Sequence, residues 1–247
     1  MAQDIRGQNA VITGASRGIG RAAAVALAKV GVNVAVTARN ADQLAEVVAE
    51  CEALGVKAVA YPADATNADA VFALRDAFME DFGKIDILVN NAGVAKYAML
   101  HETSVEDYEW MMDTNVKSTF LFSRAFVPSM VDQKSGSVIF VSSQAGVGGF
   151  PNEAVYCATK HAQVGFAHAI DGEVRPHGVK VSIIAPGGVR TTFAIGTGRT
   201  EGMEALDGMS EAGTVADAIV FAAQADPKSR MLMIGMRPMS EPLYGGA

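Results

Sequence analysis

The chain has 247 residues, of which 50% are apolar and 19% are charged, with a formal net charge of −7. This length allows one large domain with a core of its own, and the composition is too apolar for a disordered chain. The negative charge argues against general nucleic-acid binding, and no apolar run reaches the roughly 18 residues expected of a membrane span.

The N-terminus and the cysteines indicate where the protein works. Residues 1–7 are polar and lack the apolar segment of a signal peptide. The two cysteines, Cys51 and Cys157, and the four histidines show no metal-ligand spacing. We therefore expect a cytoplasmic protein without a metal ion.

Short apolar runs alternate with amphipathic stretches of helical length along the chain. The runs predict strands that are buried on both faces, because several are rich in Val and Ile. The predicted strands are Asn9–Thr13, Val32–Ala38, Ala58–Tyr61, Ile85–Asn90, Ser137–Val141, Lys180–Ile184 and Met231–Ile234. The predicted helices are Gly18–Lys29, Ala41–Leu54, Ala68–Asp81, Val105–Met130, Glu153–Arg175 and Val215–Ala225. This order indicates an α/β fold, a Rossmann-type doubly wound parallel sheet of about seven strands with helices on both faces.

No repeat or linker divides the sequence, so we expect residues 1–247 to form a single nucleotide-binding domain. The least periodic stretch runs from Thr191 to Gly213 and contains five glycines. It is either a mobile lid over a substrate site or an ordinary surface connection. Its position after the motifs described below favours the mobile lid.

A glycine-rich segment follows the first predicted strand and leads into the first predicted helix. It reads Gly14-Ala15-Ser16-Arg17-Gly18-Ile19-Gly20. Glycine permits a tight turn and a close approach of pyrophosphate to the backbone, and the helix N-terminus offers free N–H groups. The alternative is a turn that only packs against the strand, but the strand–turn–helix context predicts a dinucleotide site.

The end of the second predicted strand distinguishes the two nicotinamide cofactors. NAD sites usually place an acidic residue there, for the ribose 2′-hydroxyl. This strand is followed by Arg39, and the first acidic residue after it is Asp42. A guanidinium group pairs well with a 2′-phosphate, and Arg17 offers a second positive charge. The sequence therefore favours NADP(H), although either arginine is also compatible with a solvated surface position.

Three polar residues near the fifth predicted strand suggest acid–base chemistry. Tyr156 and Lys160 are four residues apart and share one face of a predicted helix. A lysine charge beside a tyrosine lowers the tyrosine pKa towards neutral pH, where a general acid or base is most effective. Ser143, at the end of the preceding strand, is placed to donate a hydrogen bond to a substrate oxygen.

These motifs resemble those of the short-chain dehydrogenase/reductase family over essentially the whole chain. The matching segments, in the family's order and spacing, are Thr13–Gly20, Asp64, Asn90-Asn91-Ala92-Gly93, Asn115, Ser142-Ser143, Tyr156–Lys160 and Pro186–Thr191. The resemblance implies that Tyr156 is the acid–base residue and Ser143 the substrate-oxygen donor. Lys160 would be the partner of Tyr156 and a ligand of the nicotinamide ribose. Asn115 would bend its helix and hold a water in a proton relay with Lys160.

The resemblance also implies further cofactor and substrate contacts. Asp64 and Ala65 would hold the adenine. The adenosine ribose would lie along Asn91, Ala92 and Gly93, and the nicotinamide carboxamide against Pro186, Gly187, Val189 and Thr191. The substrate would lie against Ser143, Gln144, Phe150, Tyr156 and Phe193, which are mostly apolar or small. An acidic substrate remains an alternative, because Lys96, Arg190 and Arg199 would supply positive charges for it.

Three functions stay open. The first is the NADPH-dependent reduction of a small ketone or aldehyde, or the reverse oxidation. The second is the reduction of a 3-oxoacyl thioester, against which the net charge and the segment Ile234–Ser240 argue, because many relatives have Val-Asp-Gly-Gly there. The third is nucleotide sensing without catalysis, which the presence of Tyr156 and Lys160 disfavours. The resemblance further implies a homodimer or homotetramer built on the two long helices, with Tyr108 and Trp110 as interface or core residues.

Overall fold

The structure, a computed structural model, describes residues 3–241. Residues 1–2 and 242–247 of the predicted domain, including part of the polar N-terminus, lie outside the described residues. Seven parallel strands form one sheet in the order β3-β2-β1-β4-β5-β6-β9. The predicted Rossmann-type doubly wound sheet is therefore confirmed.

The strands are short and buried because both faces of the sheet carry helices. The main-sheet strands are β1 (Asn9–Thr13), β2 (Asn33–Thr37), β3 (Ala58–Ala60), β4 (Ile87–Asn90), β5 (Gly136–Val141), β6 (Val179–Pro186) and β9 (Met233–Met236). Two further short strands, β7 (Val189–Arg190) and β8 (Ser210–Glu211), pair with each other outside the main sheet. Every residue of β1 and β4 is buried, as expected of central parallel strands.

The helices divide into two layers. They are α1 (Gly18–Lys29), α2 (Ala41–Glu52), α3 (Ala68–Phe82), α4 (Val105–Met112), α5 (Ser118–Gln133), α6 (Ala154–Val174) and α7 (Ala212–Ala223). Buried side chains of α1, α2 and α7 pack on one face of the sheet. Those of α3, α5 and α6 pack on the other face.

Three predicted elements differ most from the structure, and one of them, the last helix, spans Ala212–Ala223 rather than Val215–Ala225. The predicted helix Val105–Met130 is divided by a π-helical turn, Asp113–Lys117, between α4 and α5. The last strand is Met233–Met236 rather than Met231–Ile234. It pairs with β6 from Ile183↔Met233 to Pro186↔Met236. The strand therefore begins and ends two residues later than the apolar run predicts. Within residues 3–241 no helix meets the length and hydropathy needed to span a bilayer.

Candidate active site

The turn between β1 and α1 has the shape and charge that a pyrophosphate needs. Gly14 and Gly18 have φ values of +64° and +57°, in the left-handed region that favours glycine. A Cβ at Gly14 would lie 2.9 Å from the Ala92 Cα, and one at Gly20 would press on the Gly14 carbonyl. None of the residues in the first turn of α1 is acidic. No carboxylate in that turn therefore offsets the positive end of the helix dipole.

Hydrogen bonds fix the loop after β4 against the end of β1. The Thr13 hydroxyl accepts hydrogen bonds from the Asn91 and Ala92 N–H groups, both at 2.9 Å. The Asn91 side-chain amide donates to the Thr13 carbonyl at 2.8 Å. The two loops therefore form one rigid floor at the carboxyl edge of the parallel sheet, where nucleotides bind in folds of this kind.

A cleft of about 800 Å³ runs along this edge. It brings together nearly all the residues that the sequence predicts for the cofactor, the chemistry and the substrate. The predicted residues that line it are Gly14, Ser16, Arg17, Gly18, Ile19, Arg39, Asp64, Ala65, Asn91, Ala92, Gly93, Ser143, Gln144, Phe150, Tyr156, Lys160, Pro186, Gly187, Val189, Thr191 and Phe193. Gly20 and Asn115 are not among its lining residues. Gly20 lies beneath the turn and lets it close, and Asn115 is fully buried behind the floor.

One end of the cleft is positively charged. Arg17 and Arg39 line it, and neither forms an ion pair with another residue of the described range 3–241. The Asp64 carboxylate accepts hydrogen bonds from the Thr66 N–H and hydroxyl groups at 2.9 and 2.8 Å. These bonds, and to a smaller extent the Arg39 charge, lower the pKa of Asp64. At this end, Arg17 and Arg39 can therefore bind a phosphate, and the ionised Asp64 carboxylate can accept a hydrogen bond from a ligand.

Ser143 and Tyr156 meet at the centre of the cleft. Ser143 follows β5 and precedes a short 3₁₀ helix, Gln144–Gly146, whose Ala145 N–H donates to the Ser143 hydroxyl at 3.1 Å. The Ser143 hydroxyl also donates to the Pro186 carbonyl at 3.4 Å. Tyr156 lies in the first turn of α6 and is hydrogen-bonded to Ser143. The two hydroxyl groups therefore lie close together in the cleft, as acid–base chemistry at a single substrate oxygen requires.

The pKa of Tyr156 is shifted in the direction opposite to the predicted one. Burial, and then Tyr97, raise it above the ordinary tyrosine value, and the Ser143 hydrogen bond opposes that shift. Burial also lowers the pKa of Lys160 to about 7. Lys160 Nζ lies 5.8 Å from the centre of the Tyr156 ring. Desolvation of the two buried groups therefore outweighs the effect of the lysine charge.

Asn115 occupies the π-helical turn, where the resemblance predicts a bent helix. Its side-chain oxygen accepts a hydrogen bond from the Val94 N–H at 2.7 Å. Its side-chain nitrogen donates to the Val94 carbonyl and to the Thr159 hydroxyl, both at 2.9 Å. The side chain therefore joins the loop after β4 to α6, which fixes the floor of the cleft relative to Tyr156 and Lys160.

Aromatic rings surround Tyr156 at the substrate end. The Tyr97 and Phe193 rings lie 6.1 and 6.0 Å from the Tyr156 ring, centre to centre. Phe150 is packed in the same apolar cluster. The Gln144 amide donates a hydrogen bond to the Ala185 carbonyl at 2.7 Å, so its N–H side already has a partner within the protein. The substrate end is thus mainly aromatic.

Four charged groups complete the substrate end, namely Glu153, Arg199, Arg237 and Glu241. The sequence analysis identified only Arg199 among them. Arg199 donates to the Val189 carbonyl at 3.3 Å, and Glu241 accepts from the Gly188 N–H at 2.8 Å. Burial raises the pKa of Glu153 to about 6, with Arg199 opposing the shift and Glu241 adding to it. Glu153 is one helical turn before Tyr156, which was a usable signal. Glu241 carries no such signal because it is remote in sequence.

Two cations suggested for an acidic substrate have other partners. Lys96 pairs with Asp107 at 2.6 Å, and Arg190 pairs with Glu211 at 2.5 Å. Arg190 is not among the residues that line the cleft. Of the three suggested cations, only Arg199 lies in the cleft with its side chain directed at the residues around Tyr156, 5.9 Å from the Tyr97 ring centre.

Comparisons with known proteins agree with this geometry. The family profile described as "short chain dehydrogenase" matches residues 8–202. A 3-oxoacyl-[acyl-carrier-protein] reductase of Synechocystis sp. is 40% identical over 185 residues, covering 74% of this chain and 75% of the relative. A 3beta-hydroxysteroid dehydrogenase of Mediterraneibacter gnavus is 38% identical over 183 residues, covering 73% of this chain and 66% of the relative.

A solved structure extends the likeness to almost the whole chain. A metagenomic short-chain oxidoreductase in complex with NADP superposes with a TM-score of 0.83 at 32% sequence identity. The match covers 97% of this chain and 100% of the other. Since the sequence profile, the relatives and the fold agree, the chain is an oxidoreductase that belongs to the short-chain dehydrogenase family.

Proposed function

We propose that the protein is an NADP(H)-dependent carbonyl reductase, which converts a small ketone or aldehyde to an alcohol and catalyses the reverse oxidation. The observation that carries the proposal is the single cleft that joins the glycine turn to Ser143, Tyr156 and Lys160. In this cleft, Gly14, Arg17 and Arg39 would hold the phosphates of the dinucleotide, and Tyr156 and Lys160 would line the site of its hydride-donating ring. No other part of the described chain pairs a nucleotide-sized groove with a hydrogen-bonded acid–base pair.

The chain's own groups handle the proton. Bound NADPH supplies a hydride to the carbonyl carbon. The Tyr156 hydroxyl donates its proton to the carbonyl oxygen, and the Ser143 hydroxyl donates a hydrogen bond to the same oxygen as negative charge develops there. Solvent then reprotonates Tyr156, so that one carbonyl, one NADPH and one proton give one alcohol and one NADP⁺. Lys160 holds the nicotinamide ribose and keeps a positive charge near the tyrosinate that forms.

The choice of NADP(H) depends on the positive end of the cleft. Arg39 follows the end of β2 and Arg17 lies in the turn after β1, and both line the cleft. A planar guanidinium group binds a phosphate through paired hydrogen bonds. The complex of the metagenomic relative with NADP supports the same choice.

The aromatic wall supports a neutral substrate of modest size. Tyr97, Phe150 and Phe193 give the substrate end an apolar surface next to Tyr156. The guanidinium groups of Arg199 and Arg237 share this end with the carboxylates of Glu153 and Glu241, so their charges offset one another. Such a pocket favours a neutral carbonyl compound over an anion.

The relatives favour a second candidate, the reduction of a 3-oxoacyl thioester. The Synechocystis protein bears that name, and the chemistry at the carbonyl is the same. The family profile ends at residue 202, however, whereas Arg237 and Glu241 lie beyond it. Two charged groups of the substrate end therefore lie outside the match to the family profile.

Two proposals concern the molecule around the cleft. The segment 191–213 acts as a mobile lid, since Phe193 and Arg199 of this segment line the cleft. Two or four copies of the chain associate through α4, α5 and α6, and Tyr108 of α4 and Phe120 of α5 are exposed.

The test follows NADPH oxidation with small ketones, diketones and aldehydes, and in parallel with acetoacetyl thioesters of coenzyme A and of acyl carrier protein. Turnover of small neutral carbonyls at a higher kcat/KM than the thioesters supports the proposal. A kcat/KM that is higher for the carrier-protein thioester would establish the second candidate. Absence of turnover together with tight NADPH binding would contradict both and favour nucleotide sensing.

A further inference from the structure

A buried glutamine, Gln163, joins Lys160 to the π-helical turn. Its side-chain oxygen accepts a hydrogen bond from Lys160 Nζ at 2.9 Å. Its side-chain nitrogen donates to the Asn115 carbonyl at 2.8 Å and to the Thr119 hydroxyl at 2.9 Å. Gln163 is 1% exposed and Lys160 is 3% exposed, so neither group is solvated by bulk water.

The chemistry of the partners fixes the orientation of this amide. An ammonium group can only donate and a backbone carbonyl can only accept, so the amide oxygen must face Lys160 and the nitrogen must face Asn115. The Thr119 hydroxyl donates to the same Asn115 carbonyl at 2.8 Å and is therefore free to accept from Gln163. Every polar atom of the Gln163 side chain has a partner that suits it, as a uniquely held network requires.

We infer that Gln163 is a positioning residue, which holds the Lys160 ammonium group in the active site by anchoring it to the Asn115 carbonyl. The inference rests on the proposed role of Lys160. The Lys160 ammonium group has one other hydrogen-bond partner within residues 3–241, the Val141 carbonyl at 3.2 Å. These two acceptors leave the third N–H of the ammonium group for the cofactor ribose. The resemblance assigns a water to the link between Lys160 and Asn115, whereas in this chain a side-chain amide makes that link directly.

An amide in this position changes what the link does. A water molecule accepts one proton and releases another, but a carboxamide donates from nitrogen and accepts at oxygen without passing a proton on. Gln163 therefore stabilises the charged form of Lys160 and fixes its place. Within four residues of Lys160, α6 carries the titratable residues Tyr156, Cys157 and His161, and the π-helical turn and the loop after β4 add Asp113, Lys117, Lys96 and Tyr97. Asp113 and Lys117 lie 3.9 Å apart as an ion pair, Lys96 pairs with Asp107, and the centre of the Tyr156 ring lies 5.8 Å from Lys160 Nζ.

The test compares Gln163→Leu and Gln163→Met with the control Gln133→Leu. Gln133 donates to the Ile85 carbonyl at 2.8 Å and does not line the cleft, so its loss removes an amide hydrogen bond of the same kind elsewhere. The readout is an NMR titration of isotope-labelled lysine, with Lys160→Arg to identify the signal. We expect the Lys160 pKa to fall in both Gln163 variants and to stay unchanged in the control. The methionine variant, which fills the space with a flexible side chain, serves if the leucine variant does not fold.

Kinetics separate this inference from the proposed function. With any carbonyl substrate that is turned over, the Gln163 variants should lose about 10- to 100-fold in kcat, the range expected for a lost hydrogen bond to a charged group. The apparent pKa of alcohol oxidation should rise, because a less stable ammonium group stabilises the tyrosinate less. An unchanged Lys160 pKa and unchanged kcat would overturn the inference. The proposed function fails separately if Tyr156→Phe keeps normal turnover.

Discussion

At the scale of single residues, burial shifts the pKa values of three groups of the cleft towards their uncharged forms. Glu153 lies directly before α6, Tyr156 and Lys160 lie in its first two turns, and burial is the largest cause of the pKa shift of each. Each shift favours the uncharged species, because moving a charge out of water costs free energy. A tyrosine that keeps its proton is suited to donate it to a substrate oxygen.

Tyr156→Phe tests the proton donor. The variant keeps the aromatic ring and the burial, and loses only the hydroxyl that is hydrogen-bonded to Ser143. We expect kcat to fall by about 10²- to 10⁴-fold, the usual contribution of a positioned general acid, while the Kd for NADPH measured by fluorescence stays within about twofold. Tyr61→Phe is the control, since the Tyr61 hydroxyl contacts Asp81 outside the cleft. Turnover near the wild-type rate in Tyr156→Phe would remove this residue from the chemistry.

Arg39→Asp tests the cofactor choice. The guanidinium group is replaced by the acidic residue type that binds a ribose 2′-hydroxyl. We expect the Kd for NADPH to rise by at least about tenfold, and the ratio of kcat/KM values for NADPH and NADH to shift towards NADH. Arg75→Asp, on α3 and outside the cleft, makes the same change in net charge. A ratio that stays fixed in Arg39→Asp, or shifts equally in Arg75→Asp, would contradict the assignment of Arg39 to the 2′-phosphate.

Glu153→Gln tests how much the charged form of the buried Glu153 side chain destabilises the folded protein. The folded protein holds the Glu153 proton more tightly than the unfolded chain does, because its pKa rises from 4.5 to about 6. Wild-type stability should therefore fall as the pH rises from 4.5 to 6. The neutral variant avoids this loss, so it should be more stable than wild type above pH 6, by about 2 kcal/mol, and nearly equal to it below pH 4.5. Urea unfolding at several pH values measures the difference. A gap that does not depend on pH would show that Glu153 is not destabilised by its charge.

At the scale of elements, periodicity predicts the sheet well because buried parallel strands are read as apolar runs. β1 has the predicted bounds, Asn9–Thr13, and α1 has the predicted bounds, Gly18–Lys29. The π-helical turn at Asp113–Lys117 could not be read from periodicity, because it depends on contacts of Asn115 with the loop after β4 and with α6. The resemblance to the family, rather than the pattern of residues, supplied the bend at Asn115.

The edge of the sheet and the substrate end were harder to predict. Leu232 belongs to the apolar run that predicts the last strand, but it is 53% exposed and lies before β9. An edge strand is buried less completely, so hydrophobicity specifies its register only weakly. Arg237 and Glu241 enter the cleft from a segment after β9, and such long-range contacts leave no local pattern in the sequence.

Thr197→Val tests how the segment 191–213 is held. The Thr197 hydroxyl donates to the Ala95 carbonyl at 2.7 Å, and the Thr197 carbonyl accepts from the Tyr97 N–H at 2.8 Å. Removal of the hydroxyl weakens this attachment by one hydrogen bond, for which we expect about a fivefold rise in KM with the Kd for NADPH unchanged. Hydrogen exchange within residues 191–213 should become faster. Thr200→Val, at an exposed position of the same segment, is the control. Unchanged KM and exchange in Thr197→Val would show that this bond does not control access to the cleft.

At the scale of the whole molecule, one face carries apolar side chains that the described chain leaves exposed. Val105, Tyr108 and Phe120, on α4 and α5, are 66%, 46% and 48% exposed. The Phe120 ring lies 6.5 Å from Phe166 of α6, which in turn packs at 6.1 Å on Phe140 of the sheet. Phe120 is therefore the outer end of a continuous aromatic contact that starts in the core, as the anchor of an interface would be.

Phe120→Asp tests whether this face joins copies of the chain. An aspartate on each of two facing copies would bring like charges together in an apolar contact, which opposes association. We expect light scattering to report a dimer or tetramer for the wild type and a smaller species for Phe120→Asp at the same concentration. Leu54→Asp makes the same change in charge at a position that is 42% exposed and lies after α2, and it should assemble as wild type does. Because the change lies at the surface, Phe120→Asp should keep its affinity for NADPH. A wild-type monomer, or an assembly that Phe120→Asp leaves intact, would place the interface elsewhere or remove it.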